Sequence, residues 1–169
     1  LGKRPPAPAS HDLRTLVTRG VELIGRPRIE AHRVRVDLPE GPVPVWVEAT
    51  RLLQVVVNLV LNACESHPDR PAKVSVAVSP GADWQPGRAP DIGFYPPGKE
   101  VALLTVTDTG AGLEPDRVKQ IFQPYYTTKG DVGTGLGLPI VALALNESTA
   151  ALWFDSTPDF DRAISERFG

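Results

Sequence analysis

Apolar residues along the chain fall into two rhythms separated by Pro- and Gly-rich breaks. After Ser10 and Asp12, either of which suits a helix cap, Leu13, Leu16, Val17 and Ile24 predict a first helix. Val34 to Leu38 alternates and predicts a strand, residues 39–42 (Pro-Glu-Gly-Pro) a turn, and Val43 to Val47 a second strand. Leu52, Leu53, Val56, Leu59, Val60 and Ala63 repeat at helical spacing, so a long amphipathic helix is expected from about Ala49 to Ser66. Lys73 to Ser79 alternates again, and Val101 to Val106 is apolar and partly β-branched, as a buried strand is. Pro115 suits the start of a helix continued by Val118 to Phe122. Leu136, Leu138, Ile140, Val141 and Leu145 predict a helix to about Asn146, and Ala151 to Asp155 a last strand.

Three stretches within this pattern carry candidate chemistry. Asn58 and Asn62 are four apart and share one face of the long helix. Two amides among so many aliphatics are costly to bury unpaired, so they should face a polar cavity or ligand. An amide oxygen is a hard ligand suited to Mg²⁺; singly, each Asn reads as well as a cap for a neighbouring loop. Asp108 ends the 101–106 strand and opens a turn with Gly110 and Gly112. Its carboxylate can accept a hydrogen bond from an exocyclic amine such as that of adenine, and glycines let a flat ligand approach; ordinary Asp-Gly turns look the same. Gly133, Gly135 and Gly137 alternate just before a helix, where backbone N–H groups and the helix dipole favour phosphate. A flexible loop before a helix is the plainer alternative. No P-loop motif occurs, and the glycine spacing is not the dinucleotide fingerprint.

Taken together, the stretches are more specific than any one of them. Asn58-x-x-x-Asn62, Asp108-x-Gly110-x-Gly112, residues 121–129 (Ile-Phe-Gln-Pro-Tyr-Tyr-Thr-Thr-Lys) and residues 133–138 (Gly-Thr-Gly-Leu-Gly-Leu) stand in one order. That series resembles the N box, first glycine box, F box and second glycine box of the catalytic ATP-binding domain of sensor histidine kinases. The resemblance covers roughly residues 12 to 157 and places the chain in the wider gyrase, heat-shock chaperone, histidine kinase and mismatch-repair ATPase superfamily. It implies an α+β two-layer sandwich, a mixed sheet with helices on one face: the Bergerat fold, holding ATP between helices and a lid.

The resemblance also implies roles. Asp108 would read the adenine amine, with Gly110 and Gly112 shaping its turn. Asn62 would hold Mg²⁺, and Asn58 would support the metal and its water. Phe122 and Tyr125 would pack the lid base. Thr128 and Lys129 belong to the lid, where Lys129 either reaches the β- or γ-phosphate or is an ordinary solvated lysine. Gly133, Thr134, Gly135, Leu136, Gly137 and Leu138 would present the second glycine turn to the phosphates. Asn58, Asn62 and Lys129 are thus the candidate catalytic residues, with ATP and Mg²⁺ as ligands. ATPase branches usually carry a glutamate where Asn58 stands, and a neutral amide cannot act as a general base. Transfer to a histidine is therefore expected over hydrolysis. The rivals are an ATPase or serine protein kinase of the same superfamily, with Glu65 the nearest spare carboxylate, and a non-catalytic nucleotide-binding regulatory module.

His11-Asp12-Leu13-Arg14-Thr15 superficially resembles the phosphoacceptor motif, but it lies too close to the N box; His11 is expected to be a capping or surface residue. The acceptor should come from a dimerisation hairpin outside this chain, so the chain alone should bind ATP and turn over little. Expected partners are that hairpin and, through the full-length kinase, a response regulator receiver domain.

The 169 residues suit one domain. A net charge of −2 without a basic stripe argues against nucleic acid. No apolar run or signal pattern predicts membrane contact, and the lone Cys64 fits a reducing compartment and a small buried hydrophobe. The expected setting is the bacterial cytoplasm, which is compatible with a membrane anchor elsewhere in the full-length protein. The absence of methionine leads us to expect a fragment, with residues 1–11 as linker, 12–169 as the catalytic domain and a short lid at about 123–134. His32 and His67 lack partners at metal-ligand spacing. Residues 80–99 hold five prolines and four glycines and read as an insertion without regular structure, either a docking surface or a tolerated excursion. Ser148-Thr149-Ala150 replaces a His-Gly-Gly common in the family, and 159–169 do not match its closing strand.

Overall fold

A computed structural model describes residues 7–67, 69–82, 84–114, 116–126 and 135–156. Its elements are β1 (Ala9–Asp12), α1 (Leu13–Ile24), α2 (Arg26–Ala31), β2 (Arg35–Asp37), β3 (Pro44–Val47), α3 (Ala49–Cys64), β4 (Val74–Pro80), β5 (Ile92–Gly93), β6 (Ala102–Asp108), α4 (Gly137–Asn146) and β7 (Ala151–Leu152).

The central sheet runs β2-β4-β6, with β2 parallel to β4 and β4 antiparallel to β6. Its alternation explains why helices cover only one face. Val74, Val76 and Val78 point into the core, joined by Val36, Leu104 and Val106. Ser75, Ala77, Thr105 and Thr107 occupy the other side of the pleat, where small and polar residues tolerate water. Against the apolar face lie Leu13, Val17 and Val21 of α1 and Val56, Val60, Ala63 and Cys64 of α3. The two helices approach closely at Gly20: a Cβ there would stand 2.6 Å from Val56 Cγ1. Cys64 is fully buried, and burial pushes its thiol pKa up, as befits a small apolar filler.

A second, smaller core joins Val55 of α3 to Val141, Ala144 and Leu145 of α4, with Leu59, Ile92, Ala150 and Leu152 at its margin. It fixes α4 along α3 on the side that carries the two asparagines.

Several expectations are corrected here. Residues 9–12, read as the end of a linker and a helix cap, form β1, antiparallel to β3 from Ala9↔Val47 to Asp12↔Pro44. His11 is therefore a strand residue opposite Val45. Asp12 still caps α1, accepting from the Arg14 amide at 3.1 Å, and also accepts from the Val43 amide at 3.1 Å. The Arg14 guanidinium on its carboxylate, helped by those amides against a burial cost, holds Asp12 down to about 2. The helix expected after Pro115 is instead a run of tight turns, with bonds such as Gln120 N to Arg117 O at 2.9 Å. Among its described residues Ile121 alone is a buried apolar one, and so narrow an apolar face gives an α-helix little to pack with. The segment 80–99 is not wholly irregular, since Ile92–Gly93 pairs with Ala151–Leu152. The last strand stops at Leu152 rather than Asp155 because side chains, described below, take the next backbone groups.

Candidate functional site

The site forms where α3, the turn after β6 and the start of α4 meet. α3 begins on Glu48, whose carboxylate accepts from the Thr50 and Arg51 amides at 2.8 and 2.9 Å. Burial disfavours the Glu48 charge, but those amides outweigh it and hold its pKa below the ordinary value. With Val56 and Val60 facing the sheet and Val55 facing α4, the helical period turns Asn58 and Asn62 toward the first turn of α4.

The contact is made at Gly137. A Cβ built on that residue would lie 3.1 Å from Asn58 Oδ1 and 3.3 Å from Asn62 Nδ2. The missing side chain leaves a small polar niche between helices. Asn58 satisfies its own Nδ2 by donating to the Gln54 carbonyl at 2.8 Å, leaving Oδ1 directed at the niche. Asn62 Nδ2 is buried and has no hydrogen-bond partner among the described residues. Such a group normally costs about 1–3 kcal/mol, so the position is suited to a polar ligand. The Leu136 cap offers no side-chain hydrogen bond to the start of α4.

The first glycine turn is locked to the end of α3. Gly110 N donates to Asp108 Oδ1 at 2.8 Å, and Ala111 N donates to the Ser66 carbonyl at 3.1 Å. Thr109 ties the turn to β4 in both directions, its amide donating to Lys73 O at 3.1 Å and its hydroxyl accepting from Lys73 N at 2.9 Å. Gly110 has no room for a Cβ, which would fall 2.3 Å from Ser66 Oγ, and Gly112 has a φ of +71°. The sequence pattern missed Ser66 and Lys73, which carry no motif of their own and act through the chain's return at 109–111.

Where the base of a lid is expected, Phe122 packs edge-on against Phe154 with ring centroids 6.2 Å apart. Tyr125, expected to pack beside it, is instead 78% exposed. Its backbone has a φ of +65°, unusual for an aromatic residue, and its amide donates to Gly135 O at 3.1 Å. The chain thus leaves and re-enters the site at one point. Gly135, Leu136, Gly137 and Leu138 are placed there; Thr128, Lys129, Gly133 and Thr134, with the rest of residues 127–134, lie outside the described residues. Glu65, the spare carboxylate, sits at the C-cap of α3 with Oε1 3.7 Å from Arg28 Nη1.

Comparison with known proteins identifies the family and the fold. Residues 47–165 match the family model for histidine kinase-, DNA gyrase B- and HSP90-like ATPases. Sensor histidine kinase ZraS of Salmonella typhimurium is 30% identical over 142 residues, covering 83% of this chain and 27% of that protein. The chain therefore spans about a quarter of the length of that relative. Among solved structures, the histidine kinase domain of the E. coli osmosensor EnvZ aligns over 94% of this chain and 86% of its own at 22% identity, with a TM-score of 0.59. Full-length ShkA in complex with AMPPNP aligns over 85% of this chain and 27% of its own at 26% identity, with a TM-score of 0.58. The fold is the Bergerat fold of histidine kinase catalytic domains. The chain belongs to the histidine kinase-, DNA gyrase B- and HSP90-like ATPase family, as an ATP-binding domain of the sensor histidine kinase type.

Proposed function

We propose that this domain binds Mg-ATP and passes the γ-phosphoryl group to a histidine of a dimerisation hairpin outside the chain. The imidazole nitrogen attacks the γ-phosphorus, the bond to the β-phosphate oxygen breaks, ADP departs and the imidazole proton is lost. The observation that carries this reading is the convergence of Asn58 and Asn62 on the first turn of α4 at Gly137.

The niche fits the metal. It is lined by two amides, one with an orphaned buried atom, and an amide oxygen and nitrogen exchange places by a simple flip. Asn62 would hold Mg²⁺, with Asn58 supporting its water. When bound, Mg²⁺ neutralises charge on the phosphate oxygens. Asp108, fixed by the Gly110 amide, reads the adenine amine. Gly135, Gly137 and Leu138 offer the α4 start to the phosphates, and the family resemblance assigns Gly133, Thr134, Thr128 and Lys129 to the same ligand.

Such transfer needs positioning and charge neutralisation rather than a base acting on water. Asn58 is neutral, and Glu65 sits at the C-cap of α3 beside Arg28, so among the described residues of α3 no carboxylate takes the place of Asn58 as a base for water. Reported relatives are sensor kinases, which favours a response regulator receiver domain as the downstream partner and a cytoplasmic setting for this domain.

The test supplies the domain with γ-labelled ATP, Mg²⁺ and a separately made hairpin bearing the acceptor histidine. Acid-labile, alkali-stable label on the hairpin is expected. Phosphate release without labelling would favour an ATPase, acid-stable label a serine kinase, and binding without turnover a regulatory module.

A further inference from the structure

We infer that Arg88, in the Pro/Gly-rich segment between β4 and β6, is a positioning residue for the nucleotide site. It clamps residues 153–155, and through Phe154 and the adjoining Ser156 this stretch braces the lid base and the Asp108–Leu113 turn. The inference rests on the nucleotide-binding reading above.

The β4–β6 ladder ends at Pro80↔Ala102, and Gly81 N closes it on Val101 O at 2.8 Å. Among the described residues beyond that point, Ile92–Gly93 pairs with Ala151–Leu152 and not with β4 or β6. They cross to the chain after α4 instead. Phe94 N donates to Ala150 O at 3.0 Å and Asp91 N to Leu152 O at 2.8 Å. Past Leu152 the side chains take over. Arg88 Nη2 donates to Phe154 O at 2.8 Å and to Asp155 Oδ1 at 3.0 Å, while its Nη1 donates to Asp91 Oδ2 at 2.8 Å. Asp91 Oδ2 also accepts from Phe154 N at 2.7 Å, and Arg88 O accepts from Trp153 Nε1 at 2.9 Å. Trp84, Tyr95 and Trp153 pack edge-to-face over this clasp, with centroids 4.9 to 5.8 Å apart.

The clasped residues reach the site in two places. Phe154 meets Phe122 at the lid base, and Ser156 Oγ accepts from Leu113 N at 2.8 Å. The near side of the turn is tied to Ser66, and Ser156 secures the far side, beyond the positive-φ Gly112. A planar guanidinium binds two carboxylates and a carbonyl at once, which an ammonium cannot reproduce. Exposed ion pairs add little to global stability, so the consequence is local: the set of the Asp108–Leu113 turn.

The test compares the wild-type chain with Arg88→Ala, Arg88→Lys, Ser156→Ala and the Arg88→Ala/Ser156→Ala double variant. Two quantities are read: exchange of the Leu113 amide in nucleotide-free protein, and affinity for a non-hydrolysable ATP analogue with Mg²⁺. In Arg88→Ala, Leu113 exchange should rise several-fold while β4 and β6 amides keep their protection, and affinity should fall roughly two- to tenfold, the worth of one net hydrogen bond. Arg88→Lys should restore only part of both. The double variant should bind more weakly than Ser156→Ala by less than the full Arg88→Ala loss, because the two changes share the Leu113 contact and differ at Phe154–Phe122. Wild-type Leu113 exchange and affinity in Arg88→Ala, or full additivity in the double variant, would overturn the inference. If Arg88→Ala loses β4 and β6 protection, Arg88→Lys carries the comparison. A wild-type chain that binds no analogue refutes the nucleotide reading, while Leu113 exchange alone still decides whether the clasp acts on the turn.

Discussion

Asn62 Nδ2 lies 3.3 Å from the point where residue 137 would carry a Cβ, and residue 137 is glycine. The pairing joins the middle of one motif to the end of another and sets a buried amide, unpartnered among the described residues, before a niche suited to a polar ligand between α3 and α4.

Gly137→Ala separates fold from function. Gly137 opens α4, where alanine gains less over glycine than the roughly 0.8–1.0 kcal/mol of a helix interior, so α4 should stay about as stable. The added methyl fills the niche in front of both amides. Thermal unfolding should hold or rise, while calorimetry should show affinity for a Mg²⁺-bound ATP analogue falling by about tenfold or more, the worth of at least one charge-assisted bond. Unchanged affinity would mean that the niche is not used.

Gly20→Ala should show the opposite balance. An open helix site would gain from alanine, but here the Cβ meets Val56, itself fully buried, at 2.6 Å. Overpacking of this kind costs about 1–3 kcal/mol, enough to outweigh the propensity gain. Chemical denaturation should give a lower midpoint with an unchanged slope; a stabilised variant would show that α1 and α3 do not approach so closely.

Asp108→Asn keeps an acceptor for the Gly110 amide, so the turn should persist. It loses the carboxylate that would meet the adenine amine. Hydrogen bonds to charged groups contribute about 1.5–3 kcal/mol, which corresponds to roughly ten- to a hundredfold weaker ATP binding. GTP, which lacks that amine, should be affected far less; equal losses for both nucleotides would remove Asp108 from base recognition.

Acid should destabilise the β1–α1 corner through Asp12. Its pKa is lowered from 3.8 to about 2 in the fold, first by the Arg14 guanidinium. A depressed carboxylate contributes stability that is complete above its unfolded pKa and disappears as pH falls through the folded value. The contribution is therefore present at neutral pH and lost between about pH 5 and 2. Asp12→Asn should be less stable than wild type at neutral pH, and the difference should shrink across that window. A constant difference would assign the loss to the cap geometry alone.

Much of this was legible because local pattern and tertiary role coincide. α3 starts at Ala49 and α4 ends at Asn146, as their apolar spacing predicts, and Val74, Val76 and Val78 face the core as alternation requires. What was missed depends on partners far along the chain. β1 exists because Ala9–Asp12 finds β3, and β5 because Ile92–Gly93 finds β7. Neither short segment has a period to read. Arg88 carries no motif, yet it holds Phe154 and Asp155 through contacts that only the folded chain creates. The family resemblance puts Phe122 at the lid base, whereas the apolar pattern puts its partner Phe154 in a strand that ends at Leu152.

The most direct test of Mg-ATP binding at the Asn62–Gly137 niche is calorimetric titration with a non-hydrolysable ATP analogue, with and without Mg²⁺, on wild type and Asn62→Ala. Micromolar binding that requires the metal, and that loses its metal dependence in Asn62→Ala, is the predicted result. Equal binding with and without Mg²⁺, or an Asn62→Ala variant that keeps the full metal dependence, would contradict it.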